Sequence, residues 1–185
     1  MKRKDIKKKI KEYFFLNPTA KLRVRGIERT LKLPLPSVIR YCRELEKEDI
    51  LTTNKIGSVA FYTASRSEAY LLEKKLYNIK QLYGSGLINY LKVELSNPSI
   101  VLFGSYAKGE DAEDSDIDLY IETPSKKQVN LGRFEKLLKR KIQVFQHKNL
   151  KEITNSHLAN NIINGITLNN FIEVFTWNKQ TGRTV

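Results

Sequence analysis

The run Ser99-Ile100-Val101-Leu102-Phe103, bounded by Pro98 and Gly104, constrains this chain more than any other stretch. A short apolar run between turn residues suits a buried central strand, which needs other strands beside it and helices over its faces. A glycine-bearing turn, Gly104-Ser105, and an acidic loop, Glu110 to Asp114, lead from it to a second strand expected over Asp116–Glu122. Side chains alternate across a strand, so Asp116 and Asp118 leave one face about 7 Å apart at the backbone, within joint reach of a divalent cation. The plainer alternative is a solvated acidic loop. Against it, two ionised carboxylates on one face repel unless a cation lies between them, and the strand they open is otherwise apolar.

Further along, the pattern predicts a helix with Leu131, Phe134 and Leu138, then a strand over Ile142–Phe145 after the basic run Lys139-Arg140-Lys141. A helix around Leu158 and Ile162 stops at Asn164-Gly165. Two last strands, Ile166–Leu168 and Phe171–Phe175, are expected to pair through an Asn169-Asn170 turn. This half of the chain reads as mixed α/β (α+β).

The front half has another rhythm. Ile6, Ile10, Tyr13 and Phe14 repeat at helical spacing; a short segment with Ile27 and Leu31 follows; a third helix opens near Pro36-Ser37 and buries Val38, Cys42 and Leu45. The strand-like segments 50–53 and 58–63 flank Asn54-Lys55-Ile56-Gly57, which has hairpin chemistry. Three helices and a hairpin in about 60 residues are the order of a winged helix. In that arrangement Ser37, Arg40, Arg43, Glu44 and Lys47 form the outer face of the third helix, and Lys55 stands at the wing tip. These residues would meet DNA first, although a protein-contact module would carry a polar outer face too.

Ser65 with Glu68 three residues later reads as a capping box opening a helix with Leu72, Leu76, Ile79 and Tyr83 on one side. The expected organisation is therefore a winged helix-turn-helix domain over 1–64, a helical connection over 65–94, and a mixed-sheet domain over 95–185. Charge follows the same division. Residues 1–64 hold 16 Lys and Arg against 7 Asp and Glu, net +9, and the remainder 17 against 13, net +4. A basic front favours polyanions such as nucleic acid. Cys42 is the lone cysteine, the start lacks the apolar segment of a secretory signal, and no run is long enough to cross a membrane. A cytoplasmic protein without a membrane partner is expected.

Leu22 to Leu51 resembles the winged helix-turn-helix domains of prokaryotic regulators, above all in Leu22-Arg23-Val24-Arg25-Gly26-Ile27 and in the segment from Arg43 to Leu51. Gly104-Ser105, ten intervening residues, then Asp116-Ile117-Asp118 closely resembles the signature of minimal nucleotidyltransferases of the DNA polymerase beta superfamily, over about residues 85 to 175. That resemblance implies Mg²⁺ held by catalytic Asp116 and Asp118. It also implies a nucleoside triphosphate, foremost ATP, with phosphates on Gly104, Ser105 and Lys108, and nucleotide transfer to a hydroxyl acceptor. Some members of that family resemble antitoxins that modify a partner toxin, so a protein partner and a homodimer are both admitted. Active members add a third carboxylate on the next strand. The position matching by pattern here is Gln143, whose amide carries no charge and takes no proton. The alternative is accordingly a catalytically inactive, transferase-like DNA-binding regulator or an antitoxin-type protein.

Overall fold

The computed structural model describes residues 3–174, 177–178 and 183–184, with side chains described for 6–55 and 57–174. By its internal contacts the chain divides into two compact units, residues 1–76 with 109–114 and residues 77–108 with 115–185.

In the first unit, Ile6, Ile10 and Phe14 fall four apart and are buried, giving helix α1 (Arg3–Leu16) its inner face, to which Phe15 adds. Helix α2 (Val24–Leu31) buries Ile27 and ends where Lys32 turns left-handed at φ 51°. Helix α3 (Leu35–Lys47) starts with proline in its first turn and buries Val38, Tyr41, Cys42 and Leu45. Burial pushes the Cys42 thiol up to about 12, so it packs as a small apolar group and not as a nucleophile.

Strands β1 (Leu51–Ile56) and β2 (Val59–Ala64) then pair antiparallel with Leu51 opposite Ala64 and Ile56 opposite Val59. The turn is shorter than the sequence pattern predicts. It consists of Gly57-Ser58, with Gly57 at φ 61°, while Asn54 and Lys55 lie within β1 and Asn54 donates to the Thr63 hydroxyl at 2.9 Å. β-Branched Ile56 and Val59 extend the ladder up to the glycine, the one residue there that enters the left-handed region without strain. Leu22 adds a bridge unforeseen from sequence, exchanging both backbone hydrogen bonds with Tyr62 at 3.1 and 2.8 Å.

Helix α4 (Glu68–Gly84) departs most from expectation. Ser67, not Ser65, caps it, its hydroxyl accepting from the Tyr70 N–H at 3.2 Å; Ser65 and Ser67 both donate to the Asp49 carbonyl instead. The apolar row Leu72, Leu76 and Tyr83 is more than half exposed, and the buried row is Tyr70, Lys74, Asn78 and Leu82. Burial follows satisfied polar groups here. Tyr70 donates to the Phe14 carbonyl at 3.0 Å, and Lys74, 0% exposed, meets the buried Asp111 carboxylate at 3.1 Å and its carbonyl as well. Gly109, at φ 78°, lies against the α4 backbone, where a Cβ would come within 2.4 Å of the Leu71 carbonyl. The loop 109–114 is thus clamped onto this helix.

The second unit is a four-stranded sheet, among the described residues, in the order β5-β4-β3-β6. It uses β3 (Ser99–Phe103), β4 (Ile117–Glu122), β5 (Ile142–His147) and β6 (Ile166–Asn169). β4 and β5 run parallel; β3 is antiparallel to both β4 and β6. The sheet is mixed, as expected of an α/β nucleotidyltransferase-type domain. One face, with Ile100, Leu102, Ile117, Leu119 and Ile121, packs with α5 (Leu87–Glu94), α7 (Gly132–Leu138) and the Leu82 end of α4. The other face carries Val101, Phe103 and Tyr120, packed with Leu150 and with Ile162 of α8 (Ser156–Ile163).

The expected hairpin of Ile166–Leu168 with Phe171–Phe175 does not form: β6 pairs with β3, residues 171–174 are not strand, and Phe175 lies outside the described residues. Asn169 and Asn170 donate to the Asn97 and Pro98 carbonyls, and Ser99 donates to the Phe171 carbonyl. The Asn-Asn pair therefore fastens the chain to the start of β3 and does not fold it back on itself. A short backbone pair, Trp177–Asn178 with Arg183–Thr184, lies near the end. No helix of the described residues is long and apolar enough to cross a membrane.

Breaking the Lys74–Asp111 pair leaves a buried carboxylate without its cation. Lys74→Ala is expected to lower unfolding free energy by about 3–5 kcal/mol in urea titration. A loss below about 1 kcal/mol contradicts the pair's role.

Candidate active site

β3 ends in Phe103, and Gly104 turns the chain left-handed at φ 75° into a short helix, α6 (Gly104–Lys108), where the sequence suggests only a turn. The helix forms because Tyr106 and Ala107 bury themselves in the apolar layer, and the Asn78 amide donates to the Tyr106 carbonyl at 3.0 Å. Ser105 is half-buried in the first turn of α6, and Lys108 is exposed in its last.

β4 begins at Ile117, so Asp116 sits one residue ahead of the strand, exposed, while Asp118 is its second residue, half-buried. Asp118 pairs with Phe103 of β3 on one side and with Gln143 of β5 on the other. Its carboxylate lies directly against Gly104: a Cβ on that glycine would fall 2.2 Å from Oδ2 and 3.2 Å from Cγ. No residue with a side chain fits there unless Asp118 moves. Burial, and next the charge of Asp116, push the Asp118 carboxyl above its ordinary value. A cation between the two carboxylates would relieve both effects, and two oxygen donors of this kind suit a hard divalent ion.

The other acidic residues divide clearly. Asp111 is buried on Lys74, and Glu113 accepts from the Thr19 N–H and hydroxyl at 3.0 and 2.8 Å. Glu110 and Asp114 are exposed. Glu122, on the same face as Asp118, lies four residues farther, about 13 Å of strand, and accepts from the Tyr120 hydroxyl at 3.0 Å. Glu135, whose position the sequence leaves open, accepts from the Ile142 N–H at 3.0 Å and so caps β5. Among the described residues, no cluster of three or more His, Cys, Asp or Glu suited to a metal ion occurs. Gln143 stands exposed at the register position beside Asp118.

Residues 85–165 match the family model described as Nucleotidyltransferase domain. That stretch is similar to nucleotidyltransferase domains. It takes in Gly104, Ser105, Lys108, Asp116, Asp118 and Gln143, and its mixed helices and strands fit such a domain. No curated protein and no solved structure matches the chain.

On α3, Arg40, Arg43 and Lys47 are exposed opposite the buried Val38, Cys42 and Leu45, with Ser37 half-buried at the helix start and Lys55 exposed on β1. Glu44, in the middle of that face, is flanked by cations: Arg40 at 3.5 Å and Lys7 at 3.5 Å, with Lys7 also 2.6 Å from Glu48. The hydrogen bond with Glu48 is the largest of several effects that leave the Lys7 ammonium above its usual range. Sequence spacing identified the face but not the neutralisation of Glu44, which depends on α1 crossing α3.

Gly104→Ala combines left-handed strain with a collision at Asp118. The substitution is expected to cost about 1–3 kcal/mol from strain alone. In urea titrations the additional penalty should disappear when Gly104→Ala is paired with Asp118→Ala; strictly additive effects would show that the two residues do not press on one another.

Proposed function

We propose that the second unit binds Mg²⁺ and a nucleoside triphosphate, foremost ATP, and transfers a nucleotide to a hydroxyl acceptor. The observation that carries this reading is the packing of the half-buried Asp118 carboxylate against Gly104, with Asp116 adding its charge. Asp116 and Asp118 hold the metal in this reading. Bound Mg²⁺ supplies charge stabilisation at the triphosphate and its pyrophosphate leaving group. Gly104 lets the backbone approach the phosphates; Ser105 donates from its N–H and hydroxyl, and Lys108 contributes a point charge. The acceptor oxygen bonds to the α-phosphorus as the bond to pyrophosphate breaks, and the hydroxyl proton passes to water, since Gln143 cannot take it.

In this reading residues 1–64 are a winged helix, 65–94 a helical connection and 95–185 the transferase-like part, in a cytoplasmic protein. The match over residues 85–165 supports the last of these. Incubation with α-labelled ATP and Mg²⁺ should give a labelled acceptor, which Asp116→Asn with Asp118→Asn abolishes. Label transfer that survives the double substitution rejects the mechanism.

A second reading rests on the exposed Arg40, Arg43 and Lys47, together with the cations around Glu44. We propose that α3 enters the major groove of DNA with Lys55 near a phosphate, which makes a DNA-binding regulator of a chain that Gln143 leaves catalytically incomplete. A homodimer or a toxin-type protein partner is compatible with it. Duplex binding should weaken with salt and fall at least about tenfold in Arg40→Ala with Arg43→Ala. Absence of duplex binding at low salt removes this reading.

A further inference from the structure

At the far ends of β4 and β5 from Asp118 lies a cleft of about 370 Å³. Its walls are the segment that follows β4 and the end of β5, and they include Ser125, Lys126, Lys127, Gln146, His147 and Lys148. It is separate from the carboxylate pair. His147 pairs in register with Glu122, four residues past Asp118, about 13 Å along the strand.

The framework of the cleft is built. The Gln146 amide donates to the Ser125 carbonyl at 2.7 Å, and the Thr123 N–H donates to the His147 carbonyl at 2.9 Å, so the loop is tied to β5 at two points. Lys127 is fastened to Glu94 of α5 at the rim. The His147 ring stacks on the fully buried Tyr120, 6.0 Å between centroids, and its Nδ1 is buried without a hydrogen-bond partner among the described residues. Such an atom is uncommon in a native fold and marks a place where polar groups are not yet satisfied.

The lining chemistry selects the ligand. Lys126, Lys127 and Lys148 outnumber the one acidic wall residue, Glu152, whose Oε2 already accepts from the Lys148 N–H at 3.0 Å. One engaged carboxylate does not make a cation site, and a lysine-lined wall does not suit an apolar guest. The Lys126 and Lys148 ammonium groups and the Ser125 hydroxyl match a group with several terminal oxygens and two charges, Lys127 being engaged by Glu94. The volume is in the range of small-molecule sites. We propose that this cleft binds the phosphate group of a small molecule, at a site distinct from Asp116 and Asp118.

The chain's two histidines provide the test, since His147 lines the cleft and His157 is exposed on α8. The side-chain resonances of both are followed in the full chain, in EDTA, while inorganic phosphate or adenosine 5′-monophosphate is added against matched sodium chloride. Saturable movement of His147, with His157 unmoved, is expected. Lys126→Gln with Lys148→Gln should weaken binding at least about tenfold. Both positions are exposed, so thermal melting should not change. Tighter binding of the nucleotide marks the ligand as a phosphate ester; equal or weaker binding marks it as free phosphate. No saturable shift of His147 with either probe, or equal binding by the double variant, overturns the proposal.

Discussion

The contact between Gly104 and Asp118 is the constraint on which the second unit turns. β3 and β4 pair with Phe103 opposite Asp118, so the chain leaving β3 must pass over a carboxylate with no room for a side chain. Only a glycine in the left-handed region does so, and the same left-handed step starts α6 and sets Ser105 next to the strand ends. Strand pairing, the Gly-Ser step and the placement of Asp118 are one solution to one packing problem. The price is a half-buried carboxylate held near a second one, which raises the Asp118 carboxyl and leaves the pair suited to a cation.

The acidic loop shows how a charged segment is sorted by its surroundings. Of the carboxylates between Glu110 and Asp118, Asp111 is neutralised by Lys74 inside the first unit and Glu113 is bound by Thr19. Gly109 lies flush on the α4 backbone. The loop is therefore fixed at three points, while Glu110, Asp114 and Asp116 stand exposed and Asp118 is half-buried on β4.

Much of this was legible in the residues, for reasons that can be stated. The apolar run before Gly104 and the largely apolar run Ile117–Ile121 disclosed β3 and β4, because a central strand has few alternatives. The position of Gln143 was picked out by the family resemblance, and the parallel register of β4 and β5 sets it beside Asp118. Other features were hidden because they depend on partners far along the chain. Lys74 reads as a solvated residue until Asp111 reaches it, so the apolar row Leu72, Leu76 and Tyr83 gave the wrong inner face for α4. The Asn169-Asn170 pair has turn chemistry, but its amides are taken by carbonyls 71 or more residues back in the chain, and β6 goes to β3. The cleft by His147 had no sequence signal beyond scattered lysines, since it exists only where two strand ends and a loop converge.

The central proposal is that Asp116 and Asp118, with Gly104 and Ser105, form a metal-triphosphate site from which a third carboxylate is missing at Gln143. A crystal structure of the chain soaked with Mg²⁺ and a nonhydrolysable ATP analogue tests it most directly. The account predicts metal on Asp116 and Asp118, phosphates at the Gly104-Ser105 backbone, and Gln143 outside the coordination sphere. Phosphates bound elsewhere, or metal held without Asp118, would contradict it.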